Sequence, residues 1–205
     1  MTHHDVVTLS TETVWKRHTQ LDVVQFQARR FDGSMSPVRT WEVWRRGAAA
    51  GLLPYDPVTD QLVMLEQFRY PALVAGLDPV LLEIPAGFID SGEEPEQAAA
   101  RETQEEMGLA ADRVERIGRF LLSAGGSDET ATLYVGRVRA PSADADGIAG
   151  YGGLASENED IRIRVLPAAA AIEGALAGAY PNSITTIALL WFAVRREGLR
   201  TKWLA

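Results

Sequence analysis

Gly87 to Leu109 reads GFIDSGEEPEQAAARETQEEMGL, and its spacing is Gly87, five residues, Glu93, seven residues, Arg101-Glu102, two residues, Glu105-Glu106, one residue, Gly108. From average usage each fixed position is met at roughly one in fifteen, so all seven together are no compositional accident. Gly87 and Gly92 bracket a turn, Pro95 suits a first helical turn because it has no N–H to leave unpaired, and Gly108 is placed to stop the helix. The segment predicts a helix from about Glu94 to Met107.

On that helix Glu102 and Glu106 share a face, Glu105 is one step round, and Glu93 stands just before the first turn. Like charges at this spacing destabilise a helix by roughly 0.2–0.5 kcal/mol per pair. A hard divalent cation offsets the repulsion, because Mg²⁺ takes oxygen ligands and keeps waters that can be aimed at a phosphate. Arg101, four residues before Glu105, is placed to hold one carboxylate while others reach metal. A solvated acidic helix face is the alternative, and the fixed spacing weighs against it. The pattern resembles the Nudix box. Thr103 departs from it, at a position where the family prefers an aliphatic residue.

The chain has 205 residues, a formal net charge of −8 and no cysteine. That length makes one large domain, or a core domain with a small extension, and buries a substantial core. The acidic balance argues against nucleic acid or an anionic membrane as partner, while anionic nucleotides remain open to it if metal and a few arginines supply local positive charge. Without cysteine there are no disulfides, thiol chemistry or thiolate zinc site. The start, MTHHDVVTLS, lacks a basic region followed by an apolar core, and no apolar run approaches the roughly eighteen residues of a membrane span. A cytoplasmic enzyme is expected. His3 and His4 at the start read as frayed terminus rather than a metal tag.

Along the chain, Leu21 to Phe26 and Arg39 to Trp44 read as strands flanking Phe31-Asp32-Gly33-Ser34, whose Asp-Gly marks a turn. Residues 1–46 form an expected N-terminal β-extension, and 47–205 the main domain. AAAGLLP after Gly47 and QLVMLEQF after Asp60 read as a second hairpin of core strands, and Leu81 to Pro85 as a short strand entering the box. Val114 to Leu122, Thr130 to Val138 and Ile161 to Leu166 are further strands. Pro141 to Ser156, rich in Gly, Ala, Asp and Ser, reads as a long mobile loop. Two helices close the chain, Ala168 to Ala177 and Ser183 to Arg195, the second apolar at Ile184, Ile187, Leu190, Trp191 and Val194. The predicted class is α/β, an α/β/α sandwich with a mixed sheet plus the β-extension.

Beyond the box the resemblance covers nearly the whole chain and is to the bacterial ADP-ribose pyrophosphatase branch of the Nudix family. It is carried by LEQFRYP (Leu65 to Pro71), LLEIPAG into the box, SAGGSDE (Ser123 to Glu129), GLASENEDIRI (Gly153 to Ile163) and NSITTIALLWF. The resemblance implies hydrolysis of a nucleoside diphosphate-sugar, ADP-ribose to AMP and ribose 5-phosphate, with Mg²⁺ or Mn²⁺. GDP-mannose or another nucleotide sugar is the alternative. A non-catalytic sensor of the same fold is a third reading, set against the full complement of box carboxylates. The resemblance also implies the metal ligands: the carbonyl of Ala86, Glu102, Glu106 and, from the downstream acidic loop, Glu159.

The same resemblance makes Glu157 the group that orients or deprotonates water, with Glu105 the alternative base, and makes Arg101 and Glu93 the pair holding the box loop. SENED also reads as an exposed acidic turn. Arg69 is implied to contact the diphosphate, to which a guanidinium fork is suited; a surface arginine at a strand end is its bland reading. Gly125, Gly126 and Glu129 are implied at the terminal ribose and Trp41 near the base, although a half-buried strand also uses aromatic residues for packing. Ala124 stands where the ADP-ribose enzymes carry proline, which leaves the sugar open. The relatives are domain-swapped homodimers, an arrangement the β-extension fits, though it also fits folding back on its own domain.

Overall fold

The computed structural model describes residues 5–205, so His3 and His4 lie outside the described residues. The chain forms two compact units: residues up to Ala48 together with Leu121–Thr130, and Ala49–Phe120 together with Ala131–Ala205.

The first unit is built on a three-stranded antiparallel sheet of β1 (Val6–Lys16), β2 (Gln20–Ala28) and β3 (Arg39–Arg45) in the order β1-β2-β3. The β2–β3 pairing agrees with the expected hairpin. β1 was not foreseen: all eleven of its residues are exposed, so its sequence carries no one-sided apolar alternation from which to read a strand. Leu121–Thr130 is tied to β3 through Trp44 N–H to Gly126 O (2.7 Å) and by Asp128, which accepts from the N–H of Arg46 (2.7 Å) and from Arg45 Nε (2.5 Å). Ala124 takes the second position of a turn closed by Gly126 N–H to Ser123 O at 3.1 Å. Proline suits that position of a type I or II turn.

The second unit holds an eight-stranded sheet. Its path is β10 (Ile148–Gly152), β11 (Ile161–Pro167), β5 (Gln61–Phe68), β4 (Ala48–Asp56), β9 (Thr130–Arg137) and β8 (Arg113–Leu121). Two short strands branch from it, β6 (Val80–Glu83) on β5 and β7 (Ala86–Phe88) on β4. The helices are α1 (Tyr70–Val74), α2 (Pro95–Met107), α3 (Ala168–Leu176) and α4 (Ser183–Leu204). Strand parity assigns the faces. Val63 and Leu65 of β5 pack with Met107 of α2, whereas Tyr55, opposite Leu62 on the other face, packs edge-on against Phe192 of α4 at 4.7 Å. Helices therefore cover both faces of this mixed sheet.

Three expectations are corrected. Part of the segment expected to be a loop is strand β10, paired with β11 through a bulge between Ile148 and Gly150; glycine-rich sequence hid it. Helix α4 runs nine residues past Arg195. Gly198 weakens a helix there by about 1 kcal/mol, but Arg137 Nη1 donates to Trp203 O (2.8 Å) and Arg113 to Lys202 O (3.3 Å), satisfying carbonyls near the end. The buried stripe of α4 is Thr185, Ala188, Leu189, Phe192, Leu199 and Trp203, while Leu190 and Val194 are exposed. The helix carries apolar residues on more than one side, and the small Thr185 and Ala188 are as fully buried as Leu189 and Phe192.

Asp60 locks the β4–β5 turn to α4. It adopts φ 58°, accepts from Tyr55 Oη at 2.8 Å, and pairs with Arg196 and Arg200. Hydrogen bonding from Arg196 holds the Asp60 carboxyl below its ordinary pKa. A carboxylate with a lowered folded-state pKa stabilises above its unfolded pKa, about 4, and loses this as pH falls through the folded value. Asp60→Asn keeps tolerance of the left-handed backbone but loses the charge. It is expected to destabilise the fold by about 1–3 kcal/mol at pH 7 in urea unfolding, with the gap to wild type closing at low pH. Equal midpoints at pH 7 would remove Asp60 as a latch.

Candidate active site

The box segment folds as its punctuation demands. Glu94 is the extended N-cap of α2, its N–H donating to Gln97 Oε1 (3.3 Å), Pro95 opens the helix, and Gly108 ends it in the left-handed region at φ 67°. The core-facing stripe of α2 is Ala98, Ala99, Thr103, Glu106 and Met107. Thr103 is satisfied inside that stripe by donating to Ala99 O at 2.7 Å, which accounts for a polar residue at an aliphatic position. Glu106 is the anomaly, a carboxylate 3% exposed among apolar neighbours.

Two carboxylates of α2 converge on the adjacent residues Ala86 and Gly87 of β7. Glu106 Oε2 accepts the Ala86 N–H at 3.1 Å. Glu102 lies so close to Gly87 that any side chain there would collide with its carboxylate. Burial pushes Glu106 up to about pKa 8, with the charges of Glu159 and Glu102 adding to the rise and the Ala86 N–H and Arg69 opposing it. Burial also raises Glu102, with Arg101 lowering it and Glu105 and Glu157 adding to the rise. The acidic groups from the helix and the downstream loop thus act on one another electrostatically. Among the described residues no three such side chains already form a closed metal cage. The donor types, two glutamate carboxylates beside Ala86, whose carbonyl is a hard oxygen as well, fit a divalent cation of the Mg²⁺ type.

Arg101 is saturated by the protein. Nε and Nη2 hold both oxygens of Glu93 (3.0 and 3.1 Å), Nη1 reaches Glu102 (2.7 Å) and Glu105 (2.9 Å), and Nη2 also donates to Phe88 O (3.1 Å). A guanidinium has five N–H donors, so none is left for a substrate. All of these partners lie within the box segment.

The acidic loop is anchored at both ends. Gly152 of β10 passes so near the Glu106 carbonyl that a Cβ would collide with it. Beyond it a single 3₁₀ turn, Ala155–Glu157, leads to Asn158 at φ 56° and then Glu159, whose Oε2 accepts the Leu154 N–H at 3.0 Å. Glu157 is exposed and Glu159 folds back onto the loop.

Arg69 is extended, N-caps α1 and follows the β5 face that carries Leu65. Its backbone N–H is held by Pro79 O (2.7 Å) and its Nε by Glu83 Oε2 (2.9 Å). Glu83 was missed in the sequence, although a charge inside the apolar run LLEIP was a visible signal.

In the first unit, Leu21, Val23, Thr40, Trp41, Glu42, Gly125 and Gly126 line an open hollow of about 500 Å³. Trp41 rests edge-on against Phe26 at 5.3 Å and stays half exposed. Neither Gly125 nor Gly126 adopts positive φ, and a Cβ on either meets nothing within 4 Å. Glu129 does not stand free: its carboxylate accepts from Arg46 Nε at 2.8 Å, and Arg46 lies over the Trp44 ring at 4.5 Å.

Comparison with known proteins agrees with this geometry. The NUDIX domain matches residues 45–186. The chain is 39% identical over 200 residues to the ADP-ribose pyrophosphatase of Escherichia coli K12, covering 98% of this chain and 93% of that one. It is 34% identical to the ADP-ribose pyrophosphatase of Haemophilus influenzae, covering 97% and 91%, and 32% identical to the GDP-mannose pyrophosphatase of Salmonella arizonae, covering 72% and 74%. The crystal structure of an ADP compounds hydrolase shares the fold with a TM-score of 0.70 at 20% identity, covering 95% of this chain and 96% of that one. With the box, the fold and near full-length relatives in agreement, the chain belongs to the Nudix family.

Proposed function

We propose that the protein hydrolyses ADP-ribose at its diphosphate, giving AMP and ribose 5-phosphate, with Mg²⁺ held by Glu102, Glu106, Glu159 and the Ala86 carbonyl. The observation that carries the reading is the Glu106 carboxylate, buried at real cost beside Ala86 while Glu102 lies against Gly87. A divalent cation held by these residues would supply neutralising charge for the diphosphate and a site for water. Arg69 grips phosphate oxygens. Glu157 accepts the proton as water oxygen bonds to phosphorus and the bridging P–O bond breaks, releasing one phosphate monoester from each side. Glu105, held by Arg101, supports the ligands and is the alternative base. Trp41 with Gly125 and Gly126 is assigned to the base and sugar end, supported by the hollow they line and by glycines that the fold itself does not require.

A second reading, turnover of GDP-mannose or another nucleotide sugar, is favoured by Ala124, which leaves the turn before Gly125 without the rigidity of proline. The extension of residues 1–46 is assigned to homodimerisation, supported by Val6, Val7, Leu9, Val14 and Trp15 exposed on β1. Among the described residues no helix is long and apolar enough to cross a membrane, and we place the protein in the cytoplasm with no nucleic-acid partner. Light scattering is expected to return twice the chain mass; a monomer at micromolar concentration contradicts the dimer.

ADP-ribose is expected to release AMP only with Mg²⁺ or Mn²⁺ present, and to exceed GDP-mannose in kcat/KM. A ratio below one transfers the assignment to the second reading. Glu106→Gln is expected to lose more than nine-tenths of turnover, because the amide cannot neutralise a cation. In metal-free buffer the same variant is expected to be the more stable protein at pH 8 and above. The sign follows from the raised pKa: between the unfolded value of 4.5 and the folded value of about 8, the unfolded chain sheds a proton that folded Glu106 keeps, so wild-type stability falls as pH rises. Equal melting temperatures of variant and wild type at pH 8.5 in EDTA would contradict the burial cost.

Glu157→Gln is expected to cut kcat by roughly a hundredfold to ten-thousandfold with KM little changed, the usual range for losing a general base. Unchanged kcat assigns the proton to another group, Glu105 first.

A further inference from the structure

Arg69 ends in an unusual arrangement for a surface arginine. Its side chain is 42% exposed, yet its Nε donates to Glu83, which is 2% exposed on β6. The other Glu83 oxygen accepts from Asn182 Nδ2. Asn182 is the N-cap of α4, its Oδ1 accepting the Thr185 N–H at 3.1 Å, while Thr185 Oγ1 accepts the Ile84 N–H at 3.1 Å. Glu83 is therefore clamped by one fixed amide on one side and holds the guanidinium on the other. Among the described residues Glu83 is the only hydrogen-bond partner of the Arg69 side chain, and the bond uses Nε alone. The two terminal nitrogens, the fork that matches paired phosphate oxygens, carry no hydrogen bond to the described residues.

A purely structural role is a weak account of this pair. Removing two charges from water offsets most of their attraction, and buried ion pairs are commonly replaced by apolar residues without loss of stability. What a buried glutamate at this point supplies is direction. A free arginine has many rotamers, and holding the Nε edge removes them before a ligand arrives, so binding no longer has to order the side chain. Resting on the reading that Arg69 grips the diphosphate, we propose that Glu83 is a positioning residue for substrate binding: with Asn182 it presets the Arg69 fork toward the phosphates of a nucleoside diphosphate-sugar.

The test is steady-state hydrolysis of ADP-ribose at saturating Mg²⁺ by wild type, Arg69→Ala, Glu83→Gln and the double variant, with melting temperatures. Glu83→Gln keeps volume and loses the charge. It is expected to raise KM roughly tenfold, as for loss of one charge-assisted contact, with kcat within about threefold. In the Arg69→Ala background it is expected to change KM by less than about twofold, because the two residues act as one unit. Asn182→Ser keeps a good helix cap but removes the donor to Glu83, and is expected to raise KM in the same direction with the melting temperature little moved; it carries the test if Glu83→Gln is poorly soluble. An unchanged KM in both Glu83→Gln and Asn182→Ser, alongside a raised KM in Arg69→Ala, overturns the positioning role and leaves the reading of Arg69 intact. An equal rise from Glu83→Gln with and without Arg69 also overturns it. An unchanged KM in Arg69→Ala sinks the reading of Arg69 and the proposal with it, and wild type without AMP release sinks the substrate.

Discussion

Five N–H groups on one guanidinium hold an acidic helix in working order. Helix α2 presents Glu102, Glu105 and Glu106 within five residues, and the loop before it adds Glu93; unpartnered, these charges repel. Arg101 takes Glu93 at two points, one oxygen each of Glu102 and Glu105, and the Phe88 carbonyl. Strand β7, the loop before the helix and the C-terminal half of α2 are thereby referred to a single planar group. Glu106 receives nothing from it. That carboxylate is buried on the face it shares with Glu102, with the Ala86 N–H as its hydrogen-bond partner. The arrangement divides four acids into those neutralised by the protein and one left in deficit.

That deficit suits the proposed metal site. A carboxylate kept protonated by burial and by like charges is a poor contributor to stability and a good receiver for a cation, since metal binding replaces proton binding. Natural proteins break local rules of this kind at functional sites and offset them elsewhere. Here the offset is visible in the latches away from the site, Asp60 with Arg196 and Arg200, and Arg137 with Asp112 and the end of α4.

The box helix was legible to within a residue because its ends are written in backbone chemistry: Pro95 has no N–H to lose and Gly108 tolerates the left-handed turn. The β4–β5 and β2–β3 hairpins were legible for the same reason, through Asp60 and Asp32-Gly33. What escaped depends on neighbours distant in sequence. The exposed strand β1 has no buried face to impose a period. Strand β10 looks like a loop because Gly152 must be glycine to pass the Glu106 carbonyl. The buried stripe of α4 includes Thr185, whose hydroxyl accepts the Ile84 N–H, a contact about a hundred residues away in sequence that hydrophobicity alone does not encode. Glu83 went unread because its meaning lies in a partner fourteen residues earlier and another ninety-nine later.

Glycines separate what the fold needs from what a ligand needs. At Gly87 an added side chain would strike the Glu102 carboxylate, and at Gly152 it would strike the backbone of α2, so both are dictated by internal packing around the proposed metal ligands. Gly125 and Gly126 meet no such constraint: their φ is ordinary and the space beside them is open. Glycine costs chain entropy in such a turn, and alanine would fit both positions, so the folded chain by itself does not call for glycine there. Gly87 and Gly152 are therefore fixed by the packing of the second unit, whereas nothing in the packing of the first unit fixes Gly125 and Gly126.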